Sequence, residues 1–140
     1  MNKSFGFEDR IATVSLLALG SFVSVRGLFW VVQQDNILVQ SNFYEALHDV
    51  MPIWSWGIIL IVFGLCIVLS SATYGHKKQN DYYLIFLLVG GTGSAIIHFL
   101  MASASLYNAT NWLTTVQFII LTGWLGFIGF LAGVQIYARR

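Results

Sequence analysis

Four long apolar segments constrain the fold of this chain more than any other feature of its sequence. They span residues 11–32, 53–73, 82–106 and 112–138. Each contains the roughly 20 mostly apolar residues that a helix needs to cross the hydrocarbon core of a bilayer. Only 9% of the residues are charged, against about a quarter in an average soluble domain. Because a backbone in lipid must satisfy its own hydrogen bonds, the sequence predicts an all-α integral membrane four-helix bundle, with residues 1–140 forming a single transmembrane domain.

The lysines and arginines outside the apolar segments are distributed so that one side of such a bundle carries all of them. They precede the first segment, separate the second from the third and follow the fourth: Lys3, Arg10, Lys77, Lys78, Arg139 and Arg140. The loop formed by residues 33–52 contains no lysine or arginine. By the positive-inside rule, we expect a multi-pass protein of the cell membrane, with both termini in the cytoplasm and residues 33–52 outside.

The outer loop itself contains the pattern of a short helix. Ser41 is a typical helix N-cap, helix-forming residues follow it, and Pro52 stops the run before the second segment. The spacings of three and four place Glu45, His48 and Asp49 on one polar face. We therefore predict a helix in the outer interface, whose three polar side chains are candidate partners for a charge in the bundle. The apolar side chains of the other face are Phe43, Ala46, Leu47 and Val50.

Several functional classes are disfavoured by what the chain lacks. Its net charge is +1 and no basic run exceeds two residues, so a nucleic-acid partner is not expected. Cys66 is the only cysteine, which leaves no disulfide framework or thiolate metal cluster. The Glu45-x-x-His48 spacing occurs once, whereas helical di-iron sites need two copies and further glutamates. We expect no enzyme activity, no metal and no cofactor.

Arg26 is the residue that points most directly to a site, because it lies inside the first apolar segment. It is about four residues, or roughly 6 Å at the helical rise, outward of the centre of that segment. A charge at this depth costs several kcal/mol unless it is satisfied. We therefore expect a partner, either a carboxylate of Glu45 or Asp49, the ring of Trp30, or a polar group on the third long helix.

His98 is the second ionisable residue inside an apolar segment. It lies 16 residues beyond Tyr82, as Arg26 lies 15 beyond Ile11, so the two are predicted at nearly the same depth and in one polar pocket. The helix face around His98 carries the small residues Gly91, Ser94, Ala95, Ala102 and Ser105. Such residues let another helix approach closely. Two roles stay open for the pair, either locking the helices together or binding a ligand, ion or proton.

Glycines in the fourth segment indicate a further packing surface. Gly126, Gly129 and Gly133 form a small-residue stripe of the kind that brings two membrane helices into contact. The stripe fits either packing within the bundle or association between chains, and the sequence does not separate the two.

Two hypotheses about function follow. The first is a small non-enzymatic membrane protein that acts by associating with copies of itself or with a larger membrane partner, for example as a pore of the holin kind. Its basis is the small extramembrane mass and the glycine-rich helices. The alternative is a small transporter or channel whose polar site at Arg26 and His98 accepts an anionic solute, because arginine is well suited to binding oxyanions.

Overall fold

The computed structural model describes residues 6–38, 41–76, 81–108 and 111–139. Within these ranges the chain forms four long α-helices and one short one, with a 3₁₀ turn at Tyr74–His76 and no strand. The helices are α1 (Phe7–Leu38), α2 (Asn42–Val50), α3 (Ile53–Thr73), α4 (Tyr82–Asn108) and α5 (Trp112–Ala138). The predicted all-α four-helix bundle is confirmed.

The four long helices correspond to the four predicted segments, and only α1 differs much in length. α3 and α5 begin and end at the predicted residues, and α4 ends two residues later, at Asn108 rather than 106. α1 begins earlier because Glu8 and Asp9 lie in its first turn, where acidic side chains complement the helix dipole. It also continues past residue 32, because the following polar residues include no glycine or proline and Ile37 is buried against the bundle.

All four long helices are long and apolar enough to cross a membrane. Large apolar side chains cover their outward faces, which lipid tolerates and water does not. These are the properties of a multi-pass membrane protein. The predicted orientation depends on basic residues that lie outside the described ranges, namely Lys3, Lys77, Lys78 and Arg140, and it stays a prediction.

The long helices pack in the order α1, α3, α4, α5, each against the next. α1 and α5, which stand at the two ends of this order, scarcely touch each other. A groove lies between them, which we call the α1–α5 groove. Neighbours in this order run antiparallel, so both chain ends lie at one end of the bundle and α2 lies at the other, which we call the α2 end.

Two pairs of glycines bring the backbones of α1 and α3 into direct contact. A Cβ added at Gly20 would lie 2.8 Å from the carbonyl oxygen of Gly64, and one added at Gly57 would lie 2.6 Å from that of Gly27. The glycines are seven residues apart on each helix, close to two helical turns, so each helix presents both of its glycines on one face. This close approach maximises van der Waals packing, which drives helix association in lipid.

The contact between α4 and α5 uses part of the predicted glycine stripe. A Cβ added at Gly91 would lie 3.0 Å from the backbone nitrogen of Gly129, and one added at Gly129 would lie 2.8 Å from that of Thr92. Gly126 and Gly133 keep ordinary van der Waals distances to α4. The sequence left open whether the stripe packs within the bundle or between chains. Gly129 packs within the bundle, against Gly91 and Thr92 of α4.

The predicted helix in the outer loop is present as α2 and covers one end of the bundle. The side chain of Ser41 caps it by accepting a hydrogen bond from the backbone nitrogen of Phe43. Phe43 and Leu47 are buried among the long helices. The indole nitrogen of Trp56 donates to the carbonyl oxygens of Leu47 and Met51, at 3.1 and 3.0 Å. These contacts attach α2 firmly to the start of α3.

Polar contacts join the helices at the other end of the bundle. The hydroxyl of Ser71 donates to the carbonyl oxygen of Thr13 at 2.8 Å, which connects α3 to α1. Arg139, at the end of α5, forms an ion pair with Asp81 and donates to the hydroxyl of Tyr83 at 3.1 Å. The hydrogen bond to the Asp81 carboxylate raises the pKa of the Arg139 guanidinium. Both helix pairs are therefore fastened at the end that carries the chain termini.

Gly27→Ala should destabilise the protein by forcing α1 away from α3. The new methyl group would meet the carbonyl oxygen of Gly57 and lie 2.9 Å from the backbone nitrogen of Ile61, and overpacking of this kind costs about 1–3 kcal/mol. We expect a lower midpoint of thermal unfolding, followed by circular dichroism in detergent. Gly123→Ala is the matched control, since nothing lies within 4 Å of its added Cβ. Equal midpoints for the two variants would contradict the close α1–α3 contact.

Candidate functional site

The side chain of Arg26 reaches from α1 across the α1–α5 groove. Its guanidinium carbon lies 4.5 Å from the centroid of the Phe118 ring on α5, within the range of cation–π attraction. This contact links two helices that otherwise scarcely touch. The side chain is half-buried and also lines the groove, so one face of the cation rests on the ring while the groove gives access to it.

The carboxylates that the sequence offered as partners for Arg26 lie elsewhere. Glu45, His48 and Asp49 are exposed on α2, because α2 docks through its opposite, apolar face. Within the described part of the chain, neither Glu45 nor Asp49 forms an ion pair with Arg26. The contact of Arg26 is instead with the aromatic ring of Phe118, which was not among the expected partners.

Phe118 is a site residue that the sequence reasoning missed, as it missed Tyr44 and Gln117 of the groove. Its side chain is 1% exposed and stacks on Phe43 of α2, with ring centroids 5.5 Å apart and an interplanar angle of 27°. One signal was available, since Phe118 lies six residues into α5 and Arg26 six residues before the end of the first apolar segment, which places them at similar depth. Nothing in the sequence indicates that α5 is the helix that faces Arg26 across a groove.

His98 lies inside the bundle, with no exposed surface. Its Nδ1 is 2.7 Å from the carbonyl oxygen of Ser94, and because a carbonyl oxygen only accepts, Nδ1 carries the hydrogen. In the described part of the chain, neither Nε2 of His98 nor Oγ of Ser94 has a hydrogen-bond partner. Ser94 and Ala95 are both buried on this face of α4, where the sequence predicted close helix packing.

Arg26 and His98 approach the same ring without sharing a cavity. The ring centroid of His98 lies 6.3 Å from that of Phe118, on whose ring the Arg26 guanidinium also rests. Arg26 lines the groove and His98 does not. The two residues predicted to form one polar pocket are therefore neighbours through Phe118, and the part of the site open to a ligand is the Arg26 side.

The α1–α5 groove is a cavity of about 680 Å³. Its polar lining consists of Arg26, Tyr44 and Gln117, and only Arg26 among them is charged. The apolar lining is formed by Phe22, Val25, Phe29, Trp30, Ile120 and Leu121. At the α2 end, Trp30 and Tyr44 meet edge to face, with centroids 5.9 Å apart. An apolar cavity of this size with a few polar groups is typical of small-molecule sites.

Metal chemistry finds no support in the residues that the structure describes. Over those ranges, no three His, Cys, Asp or Glu side chains come together in a group able to hold a metal ion. Cys66 is a half-buried free thiol on α3. The groove instead presents a guanidinium, an amide and a phenol, which suit ligand binding.

The described residues form a polytopic membrane four-helix bundle with a groove between α1 and α5 that Arg26 lines. Comparison of the chain with protein-family models, with curated proteins and with solved structures found no match. Its function is therefore argued from the residues of the groove.

The variants Arg26→Gln and Phe118→Leu, alone and combined, should reveal the energy of the contact between the two side chains. A cation–π contact contributes about 0.5–2 kcal/mol, so the loss of unfolding free energy in the double variant should fall short of the sum of the single losses by that amount. The measurement is reversible unfolding in mixed detergent micelles, followed by circular dichroism.

Arg10→Gln combined with Phe118→Leu is the control for this cycle, because Arg10 is an exposed residue near the opposite end of α1. The control losses should add to within about 0.5 kcal/mol. Additive losses for the Arg26 pair as well would mean that the guanidinium does not rest on the ring in solution.

Proposed function

We propose that this chain is a small non-enzymatic membrane protein of the transporter or channel type, which binds an anionic solute at Arg26 in the α1–α5 groove. One observation carries the proposal: the guanidinium lines an apolar cavity, and no carboxylate among the described residues pairs with it. Arginine stays charged in proteins. A charge inside a membrane-spanning segment marks an ion or substrate site by default.

The chemistry of the groove favours an oxyanion over other solutes. A guanidinium binds carboxylate, sulfonate or phosphate groups through two parallel hydrogen bonds, and it repels cations. Gln117 and Tyr44 line the same cavity and supply an amide and a hydroxyl as further donors. The aromatic walls at Phe22 and Phe29 favour a solute with an apolar part beside its charge.

Binding rather than catalysis is proposed because the described residues of the groove include no nucleophile paired with a general base. A catalytic site needs a nucleophile, a general acid or a general base positioned at the reacting group. The polar residues that line the groove are Arg26, Tyr44 and Gln117. Arginine cannot give up its proton in a protein, and an amide is neither acid nor base at neutral pH.

Benzenesulfonate should stabilise the purified protein in a way that depends on Arg26. A ligand at 100 times its dissociation constant adds about 2.7 kcal/mol of stability, which thermal unfolding in detergent detects as a rise in the midpoint. Arg26→Gln should abolish the rise, and Arg10→Gln should retain it. Phenyltrimethylammonium, which carries the opposite charge on a similar ring, should give no rise with any variant.

Transport is tested with the same probe in sealed vesicles. Wild-type proteoliposomes should release trapped radiolabelled benzenesulfonate faster than protein-free vesicles, and those with Arg26→Gln should not. A midpoint that rises equally for wild type and Arg26→Gln would refute the binding site. Binding without any release of the trapped probe would refute the transport part of the proposal.

Self-association is the second candidate function, and one observation favours it. α5 has the smallest buried share of its apolar window among the long helices, 17% against 28 to 44% for the others. A second cavity of about 550 Å³ lies along it, with Gly126 and Gly133 in its lining. A helix of a second copy or of a larger membrane partner could pack there, and several copies would form a pore of the holin kind.

The pore version requires both oligomers and leakage. Mass photometry of the detergent-solubilised protein should then reveal oligomers, and vesicles that contain it should release carboxyfluorescein. Gly133→Leu should abolish both properties, while Gly123→Leu, at a position with open space around it, should retain them. A strictly monomeric protein in vesicles that never leak would remove this candidate.

A further inference from the structure

We infer that the groove accepts an amphiphile of the bilayer itself, with an oxyanion headgroup at Arg26 and an acyl chain along the apolar walls. This inference rests on the proposed anion site. It adds the chemical class of the ligand and the direction from which the ligand enters.

The mouth of the groove opens sideways, between α1 and α5. The side chains at the mouth are apolar and exposed, with Phe22, Val25 and Phe29 on α1 and Ile120 on α5. In a membrane-spanning bundle such side chains contact the acyl chains of lipids. A ligand that enters by this route comes from the hydrocarbon phase, which selects molecules with an apolar chain.

Aromatic side chains stand at the α2 end of the groove, which is the end nearer the water in a membrane-spanning bundle. Trp30 is 1% exposed, and the ring of Tyr44 meets it edge to face. Phe43 stacks on Phe118 beside them. A ligand that entered between α1 and α5 would leave these aromatic contacts in place.

The polarity of the groove has the same direction as that of a lipid in one leaflet. Arg26, Tyr44 and Gln117 lie toward the α2 end. α1 runs toward that end and α5 runs away from it, so Phe22, one turn before Arg26, and Leu121, one turn after Gln117, both lie deeper in the bundle. A headgroup at Arg26 would leave its chain lying along the deeper, apolar part.

Charge complementarity commits the occupant to an anion. Arginine keeps its positive charge in proteins, and within the described residues no carboxylate offsets it. The anions that a bilayer supplies are its lipids of net negative charge, in whose headgroups no cationic group neutralises the phosphate or carboxylate. A lipid therefore combines the charge that Arg26 requires with the apolar chain that the walls accommodate.

Native mass spectrometry of the full chain tests the inference, with dioleoyl phosphatidylglycerol and dioleoyl phosphatidylcholine as probes at equal concentration. The two lipids share their acyl chains and differ in net headgroup charge. Wild type should bind the anionic lipid at least tenfold more tightly. Arg26→Gln should equalise the two affinities, and Arg10→Gln should leave the preference unchanged.

A second variant tests the groove without removing the charge. Val25→Trp should fill the mouth of the groove and abolish the preference for phosphatidylglycerol. Val14→Trp is its matched control, because Val14 is also exposed on α1 but does not line the cavity. The helical signal in far-UV circular dichroism, compared with that of wild type, identifies any variant that fails to fold.

Equal affinity of wild type for the two lipids would overturn the inference, and so would a preference that survives both Arg26→Gln and Val25→Trp. If benzenesulfonate still stabilised the protein through Arg26 in that case, the anion site would stand and its ligand would be a free oxyanion. If neither probe responded to Arg26, the proposed function would fail as well.

Discussion

The cost of placing a guanidinium inside an apolar helix must be offset by a favourable contact. In this protein the contact is with the ring of Phe118, on which the guanidinium of Arg26 rests. This contact depends on how the other helices are arranged. Glycine contacts hold α1 against α3 and α4 against α5 at backbone distance, while α1 and α5 stay apart. α2 places Phe43 on the ring and so fixes its position. The gap between α1 and α5 is thus bridged, among the described residues, by the cation–π contact of Arg26 with Phe118 in place of helix packing, and the space left beside it is the groove.

The energies involved connect this packing to the proposed function. A cation–π contact supplies about 0.5–2 kcal/mol, whereas a charge well inside a membrane helix costs at least about 2.5–3.5 kcal/mol. The ring therefore holds the guanidinium in place without fully offsetting its burial. An oxyanion bound in the groove would offset the rest of the cost of burying the charge. For this reason an arginine that is only partly satisfied, beside an open apolar cavity, favours a binding role over a purely structural one. His98, which also approaches the Phe118 ring, is fully buried and is not among the described residues that line the groove.

The membrane-spanning segments could be predicted from the sequence because lipid requires each of them to be about 20 residues long and mostly apolar. A single polar residue does not remove so long a signal. The short α2 could also be predicted, from Ser41 and Pro52. The length of α1 could not, since the segment was bounded by hydropathy while the helix ends where tertiary contacts at Ile37 end. The seven-residue spacing of Gly20 and Gly27, matched by Gly57 and Gly64, was present in the sequence and would have predicted the α1–α3 contact. The role of Phe118 could not be predicted, because it depends on which helices are neighbours.

The contact between Arg26 and Phe118 is tested most directly by locating the Arg26 side chain in a lipid bilayer. Solid-state NMR of the protein in lipid, with ¹⁵N in the arginine guanidinium and ¹³C in the phenylalanine rings and in the side-chain carboxyl groups of aspartate and glutamate, measures this contact, and the Phe118→Leu variant assigns it. We expect a dipolar contact between Arg26 and the Phe118 ring, consistent with the 4.5 Å separation. Contacts from the guanidinium to the carboxyl carbon of Glu45 or Asp49, with none to Phe118, would contradict it.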